Sequence, residues 1–216
     1  MKNYCLRLAV LIAVLGLGEW QVNAQVSITE VSNSNNFGED WFELTNFGSA
    51  AVDLTSYYWD DDGPAGADGA LFGNFSIAAG ESLIVLEGPS TGVASFEALF
   101  GLTPGSIQIL TEDDFTGPNT FSGLSSNGDE ISLWDTDPNV LGAAFTLIDF
   151  VSFPAAAATG VPFDVFNGNP VPNTTGTLTS NGDIGTPGVA TAVPEPGSVA
   201  LLSLFGALAA AKRRRA

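Results

Sequence analysis

Trp41-Phe42-Glu43-Leu44-Thr45-Asn46 is the stretch on which the reading of the fold turns. Side chains along an extended strand point to opposite faces in turn. One face therefore carries Trp41, Glu43 and Thr45, and the other carries Phe42 and Leu44. Asn46-Phe47-Gly48 then supplies a turn, because Asn and Gly tolerate the backbone angles that tight reversals need. Working outward, segments rich in β-branched, aromatic or alternating residues predict strands at 26–31, 41–46, 51–54, 74–77, 82–86, 107–110, 130–135 and 146–153. Ala79-Gly80, Pro104-Gly105 and Asn127-Gly128-Asp129 separate several of them. Short strands at this spacing predict an all-β fold, a β-sandwich. Phe96, Leu99 and Phe100 fit i, i+3, i+4 spacing, so 95–100 is expected to form a short helix. Trp41, Phe42, Tyr57 and Phe75 are the expected core anchors.

The charge distribution narrows the chemistry. Net charge is −18, from 24 acidic residues against six basic ones. The basic residues are Lys2, Arg7, Lys212, Arg213, Arg214 and Arg215, so everything between Arg7 and Lys212 lacks Lys and Arg. His is absent, and the single Cys is Cys5. A body without cations cannot neutralise phosphates, which excludes nucleic acid as a partner. Its carboxylates must be solvated, hydrogen-bonded or matched by bound cations. Hydrophobic residues still make up 45% and aromatics 10% of the chain, enough for a packed core.

Both ends carry export signals. Lys2 and Arg7 precede an apolar run at 8–17, and Val22-Asn23-Ala24 presents small residues for cleavage, with Gln25 as the expected mature start. At the other end, Val193-Pro194-Glu195-Pro196 is followed by an apolar run at 198–211 and by Lys212-Arg213-Arg214-Arg215. A helix of about 14 residues reaches only about 21 Å, short of a hydrocarbon core of about 30 Å. Local thinning and snorkelling of the terminal basic residues would accommodate it. The basic cluster favours the cytoplasmic side, which leaves the body outside. This arrangement resembles the PEP-CTERM sorting tail. The resemblance implies processing by an exosortase-type transpeptidase in a Gram-negative bacterium, after transient anchoring in the inner membrane. It also implies a final location at the cell surface or in an extracellular matrix, where polysaccharide is a candidate partner.

The body carries a second resemblance. Ile28-Thr29-Glu30-Val31 leads to Asp40 and the Trp41 to Asn46 stretch, then to Gly48, Val52-Asp53-Leu54, Tyr57 and Ala79-Gly80-Glu81. Ile148-Asp149-Phe150-Val151-Ser152-Phe153 and Thr186-Pro187-Gly188 complete the pattern. This is similar to a lamin-tail domain, which implies an immunoglobulin-like sandwich and transfers no catalytic residues. The expected organisation is therefore a signal peptide at 1–24, a lamin-tail-like body at 25–188, a linker at 189–193 and the sorting tail at 194–216.

Little catalytic chemistry survives the composition. Triads need His, Ser–Lys pairs need Lys, and thiol chemistry needs Cys in the body. Only carboxylate pairs remain, as in glycosidases. Calcium, which takes hard oxygen ligands, is the one cofactor the sequence suggests. Its expected ligands are Asp60, Asp61, Asp62 and Asp68, with Glu112-Asp113-Asp114 and Asp135-Thr136-Asp137-Pro138-Asn139 as further acidic loops. The alternative for all three loops is a solvated turn. Glu30 and Glu43, on adjacent predicted strands, read as surface or edge carboxylates, with cation ligation as the alternative. The expectation for function is a non-enzymatic structural or adhesive module. A carbohydrate- or calcium-binding module and a carboxylate-dependent hydrolase are the alternatives.

Overall fold

The structure, a computed structural model, describes residues 26–61, 69–115, 123–137, 146–156, 158–165, 168–170 and 177–189. In chain order its strands are β1 (Val26–Ser32), β2 (Trp41–Asn46), β3 (Val52–Asp53), β4 (Tyr58–Asp60), β5 (Ala70–Leu71), β6 (Ser76–Ile77) and β7 (Ser82–Leu86). They continue with β8 (Gln108–Leu110), β9 (Gly128–Trp134), β10 (Leu147–Pro154), β11 (Phe163–Asp164), β12 (Asn169–Pro170), β13 (Thr177–Leu178) and β14 (Ile184–Gly185). One α-helix, α1 (Val93–Phe100), stands among these described residues.

The predicted all-β character is observed. A six-stranded sheet has the order β12-β11-β1-β2-β7-β8, and a four-stranded sheet the order β10-β9-β4-β5. Two-stranded ribbons join β3 to β6 and β13 to β14. Neighbours pair antiparallel except β7 and β8. Parallel neighbours need a crossover connection, and α1 lies within the one joining β7 to β8. The helix stops at Gly101, whose φ of 67° is the left-handed conformation that glycine adopts without a Cβ penalty.

The alternation in β2 sorts its side chains as read, but both faces are buried. Phe42 and Leu44 enter a cluster with Ile28, Leu83, Val85 and Leu110 of the same sheet. Trp59, Ile131, Leu133, Val151 and Phe153 of the four-stranded sheet belong to the same cluster. Trp41 points the other way, into a second cluster with Ile84, Leu86, Phe96 and Phe100. There the Trp41 ring meets Phe96 at 5.6 Å and Phe100 at 5.8 Å, both edge-on, an arrangement worth about 0.5–1.5 kcal/mol per pair beyond burial. Tyr57 and Phe75 are only partly buried against the first cluster.

Several expected elements shift. The strands predicted at 51–54 and 74–77 contract to the two-residue β3 and β6, while β4, β5 and β11 to β14 had no sequence signal. Elements of two or three residues are too short to show a period. The helix begins earlier than predicted, at Val93. No helix among the described residues is long and apolar enough to cross a membrane. The expected signal peptide and sorting helix lie outside those residues.

Candidate functional site

Pairing between β1 and β2 is irregular between Ile28 and Glu30. A bulge sets two residues against one, and here it decides where a carboxylate goes. Regular alternation would send Glu30 to the face of Ile28, inside the apolar cluster. After the shift, Val31 pairs with Phe42 and Glu30 pairs with Glu43. Side chains opposite one another in this way lie about 4.5–5.5 Å apart at Cβ. Thr29, the extra residue, donates its hydroxyl to Glu43 Oε2 at 2.9 Å. The hydroxyls of Thr45 and Ser82 extend this network, at 3.2 Å from Thr29 to Thr45 and 2.7 Å from Thr45 to Ser82.

Glu30 and Glu43 are therefore not surface residues: they are 2% and 1% exposed. What covers them is the C-terminal end of the described chain, residues 183–189, which forms a strap. Asp183 Oδ1 accepts from the backbone N–H of Asn36 at 2.6 Å and from its side-chain amide at 3.0 Å. Ile184 N donates to Gly160 O at 2.7 Å. Thr186 then donates its backbone N–H to both carboxyl oxygens of Glu30 at 3.1 Å, and its hydroxyl pairs with Glu30 Oε2. Two residues on, Gly188 N donates to Glu43 Oε1 at 2.9 Å. The close approach requires glycine at 185. A Cβ there would meet Phe100 Cε1 at 2.8 Å, Trp41 Cζ2 at 3.1 Å and Glu30 Oε1 at 3.3 Å.

The electrostatics follow from burial without a cation. Burial pushes the Glu30 carboxyl up to about 8; the charges of Glu43 and Asp164 add to the rise, and the Thr186 hydrogen bonds oppose it. Burial also raises Glu43, against hydrogen bonds from Ser82, Thr29 and Gly188. Two neighbouring carboxyls in such a site titrate as a pair, and ionising both costs more than ionising one.

A second group of acids gathers where strands of the two sheets end. Glu39 and Asp40 precede β2, Glu87 follows β7, Glu112 follows β8 and Asp61 follows β4. Burial pushes Asp40 up to about 7, and the charges of Glu87 and Glu39 push in the same direction. Glu87 is raised by burial first, then by Glu112, Glu39 and Asp61.

Other acids accept hydrogen bonds from backbone N–H groups, some near in sequence and some remote. Asp113 accepts from Ser90 N at 2.9 Å. Asp114 accepts from Thr111 N at 2.9 Å and from its hydroxyl at 3.0 Å, capping the 3-10 turn Glu112–Asp114. Asp135 Oδ1 accepts from Thr146 N at 2.8 Å, and Asp129 from Ser125 N at 2.9 Å. In these turns the carboxylate does the work expected of Asx residues. A cavity of about 30 Å³ lined by Asn33, Ala155, Val161 and Phe163, among others, has room for about one water.

Of the expected calcium ligands, Asp60 ends β4 as a buried residue opposite Ser132, and Asp61 follows it. Asp62 and Asp68 lie outside the described residues, as do Ala24, Gln25, Val193, Pro194, Glu195, Pro196 and Lys212, Arg213, Arg214 and Arg215. No group of three or more His, Cys, Asp or Glu that could hold a metal ion occurs among the described residues. The strap contacts had one sequence signal, the Thr186-Pro187-Gly188 turn, but nothing local linked it to Glu30 and Glu43. Compared with known proteins, the chain matches no family model and no curated protein.

Proposed function

We propose that this protein is an exported structural or adhesive module, an immunoglobulin-like sandwich of lamin-tail type. In this reading a PEP-CTERM tail holds it at the inner membrane until an exosortase-type enzyme processes it, and the body then resides at the cell surface or in its matrix. The observation that carries the reading is the attachment of the strap. Thr186 and Gly188 are bonded to Glu30 and Glu43, on two interior strands of the six-stranded sheet. Val193-Pro194-Glu195-Pro196 begins only five residues after Gly188. A pull on the tail would thus enter the sheet through β1 and β2 rather than through an edge strand, which suits a tethered load-bearing module. A reporter fused after Gly188 in the otherwise intact N-terminal chain tests the topology. Signal outside the inner membrane is expected, and a cytoplasmic signal rules the reading out. Intact-mass analysis of protein from the native host should show cleavage after Ala24 and loss of the segment that contains Lys212-Arg213-Arg214-Arg215.

A second reading, a calcium-binding module, rests on Asp60-Asp61-Asp62, whose Asp61 adds its charge to those of Glu112 and Glu39 beside Glu87 in a body without cations. A specific site takes six to eight oxygens and prefers calcium to magnesium, whereas general screening does not distinguish them. With a Kd of about 10⁻⁴ M, about 10 mM calcium would add about 2.7 kcal/mol of stability. The Tm gain should exceed that with magnesium, and replacing Asp60, Asp61 and Asp62 together by Asn should remove the excess. Equal gains for the two ions reduce these loops to solvated turns.

A further inference from the structure

We propose that Glu30 and Glu43 form a proton-dependent latch on the C-terminal strap, closed while the pair retains a proton and loosened when it loses it. The geometry supplies each part. The two carboxyls are register partners on adjacent strands and are buried on the same face. Each binds a different residue of one short segment, Thr186 and Gly188. No Lys, Arg or His is available in the body to offset a second negative charge. Asp164 on β11 adds a further negative charge beside Glu30, and Thr29, Thr45 and Ser82 offer neutral hydroxyls around Glu43. Gly185 is approached by the apolar rings of Phe100 on α1 and Trp41 on β2.

The chemistry of each state follows. With one proton, the pair holds a single charge, and the donors directed at Glu43 from Thr29, Ser82 and Gly188 suit the anion there. Neutral Glu30 still accepts from Thr186 N, and its own O–H can bond to the Thr186 hydroxyl. When Glu30 also ionises, two charges face each other away from water, and lifting the strap hydrates both. Since the closed form holds a proton that the open form releases, opening is favoured as pH rises, by at most about tenfold per unit. The window runs from the ordinary carboxyl value of 4.5 to about 8. Below it the latch is at its tightest, and above it the effect levels off. The latch follows from the body's contacts and does not depend on the export reading. Its consequence for access to Val193-Pro194-Glu195-Pro196 does.

Hydrogen–deuterium exchange of the full chain in detergent micelles, corrected for intrinsic exchange, tests it between pH 5 and 9. Protection of residues 183–189 should fall by up to tenfold for each unit that pH rises toward about 8, and at every pH it should stay well below that of β7, because the strap opens without global unfolding. Glu30→Gln should hold the strap and flatten this dependence. Should that variant fail to fold, ¹³C titration of the Glu30 carboxyl in the wild type should give a midpoint within one pH unit of strap release. Strap protection indifferent to pH, strap protection equal to that of β7 throughout, an undiminished slope in Glu30→Gln, or a midpoint further away would each overturn the latch.

Discussion

The two faces of β2 are both buried, yet they are built by different means. On one, Phe42 and Leu44 join an apolar cluster supplied by strands of two sheets. On the other, Trp41 and Glu43 lie beneath elements brought from elsewhere in the chain: Phe96 and Phe100 of α1, and the 183–189 strap. The first face is held by area removed from water, a term that is non-directional and tolerant of position. The second combines ring contacts with hydrogen bonds to two carboxyls, which are directional and costly when left incomplete. A face of the second kind responds to pH and to single atoms in a way that the first does not.

The largest test of this contrast is on the apolar side. Phe42→Ala should lower stability by about 3–5 kcal/mol, the cost of an unfilled cavity after loss of a buried aromatic. It should do so equally at pH 5 and pH 8, measured by denaturant unfolding. A loss under 1 kcal/mol would remove Phe42 from the core. Next in size is Gly185→Ala, on the strap side. Its Cβ would press on Phe100 and Trp41, so about 1–3 kcal/mol of overpacking cost is expected, with exchange protection falling first at 183–189. An unchanged Tm would show that the strap sits less closely than described.

Smaller per step, but diagnostic in sign, is the pH dependence. Glu30 is raised from 4.5 to about 8 and Asp40 from 3.8 to about 7. The folded chain therefore binds more protons than the unfolded one across those intervals. Their contribution should be fully present below about pH 3.8 and fall as pH rises toward 8, by at most about 1.4 kcal/mol per unit for each group. Asp40 is only partly buried, so solvent reduces its share. Glu30→Gln should remove the larger part of the slope, and stability rising with pH over this range would contradict the account. The smallest expected effect is at Asp113, an exposed acceptor for Ser90. Asp113→Asn should leave the Tm within error, and a clear loss there would mean that the exposed caps matter as much as the buried pair.

How much of this was legible varies residue by residue. The alternation in 41–46 was sufficient to place Phe42 and Leu44 together, and it separated Trp41, Glu43 and Thr45 correctly. It could not say that the second face is also covered, because its cover comes from residues about 50 and 145 positions away. Glu30 was misread for a sharper reason. Its face depends on the bulge at Ile28 to Glu30, and one inserted residue inverts the parity on which any strand reading rests. A surface glutamate was the natural inference for a charged residue, and no cation nearby in sequence argued otherwise. Asp114 was legible as a turn residue because its partner Thr111 lies three residues away, whereas Asp113 bonds to Ser90, 23 residues away.

The sequence by itself determined the all-β character, the alternation of the central strands and a body in which no carboxylate can find a basic partner. These are properties of local period and composition, which need no knowledge of what packs where. The tertiary structure alone decided that Glu30 and Glu43 meet as register partners, that both are withdrawn from water and that the Thr186 to Gly188 segment closes over them. Those outcomes depend on a bulge, a crossover helix and a contact spanning some 150 residues, and each is settled by the free energy of the assembled fold rather than by any stretch within it.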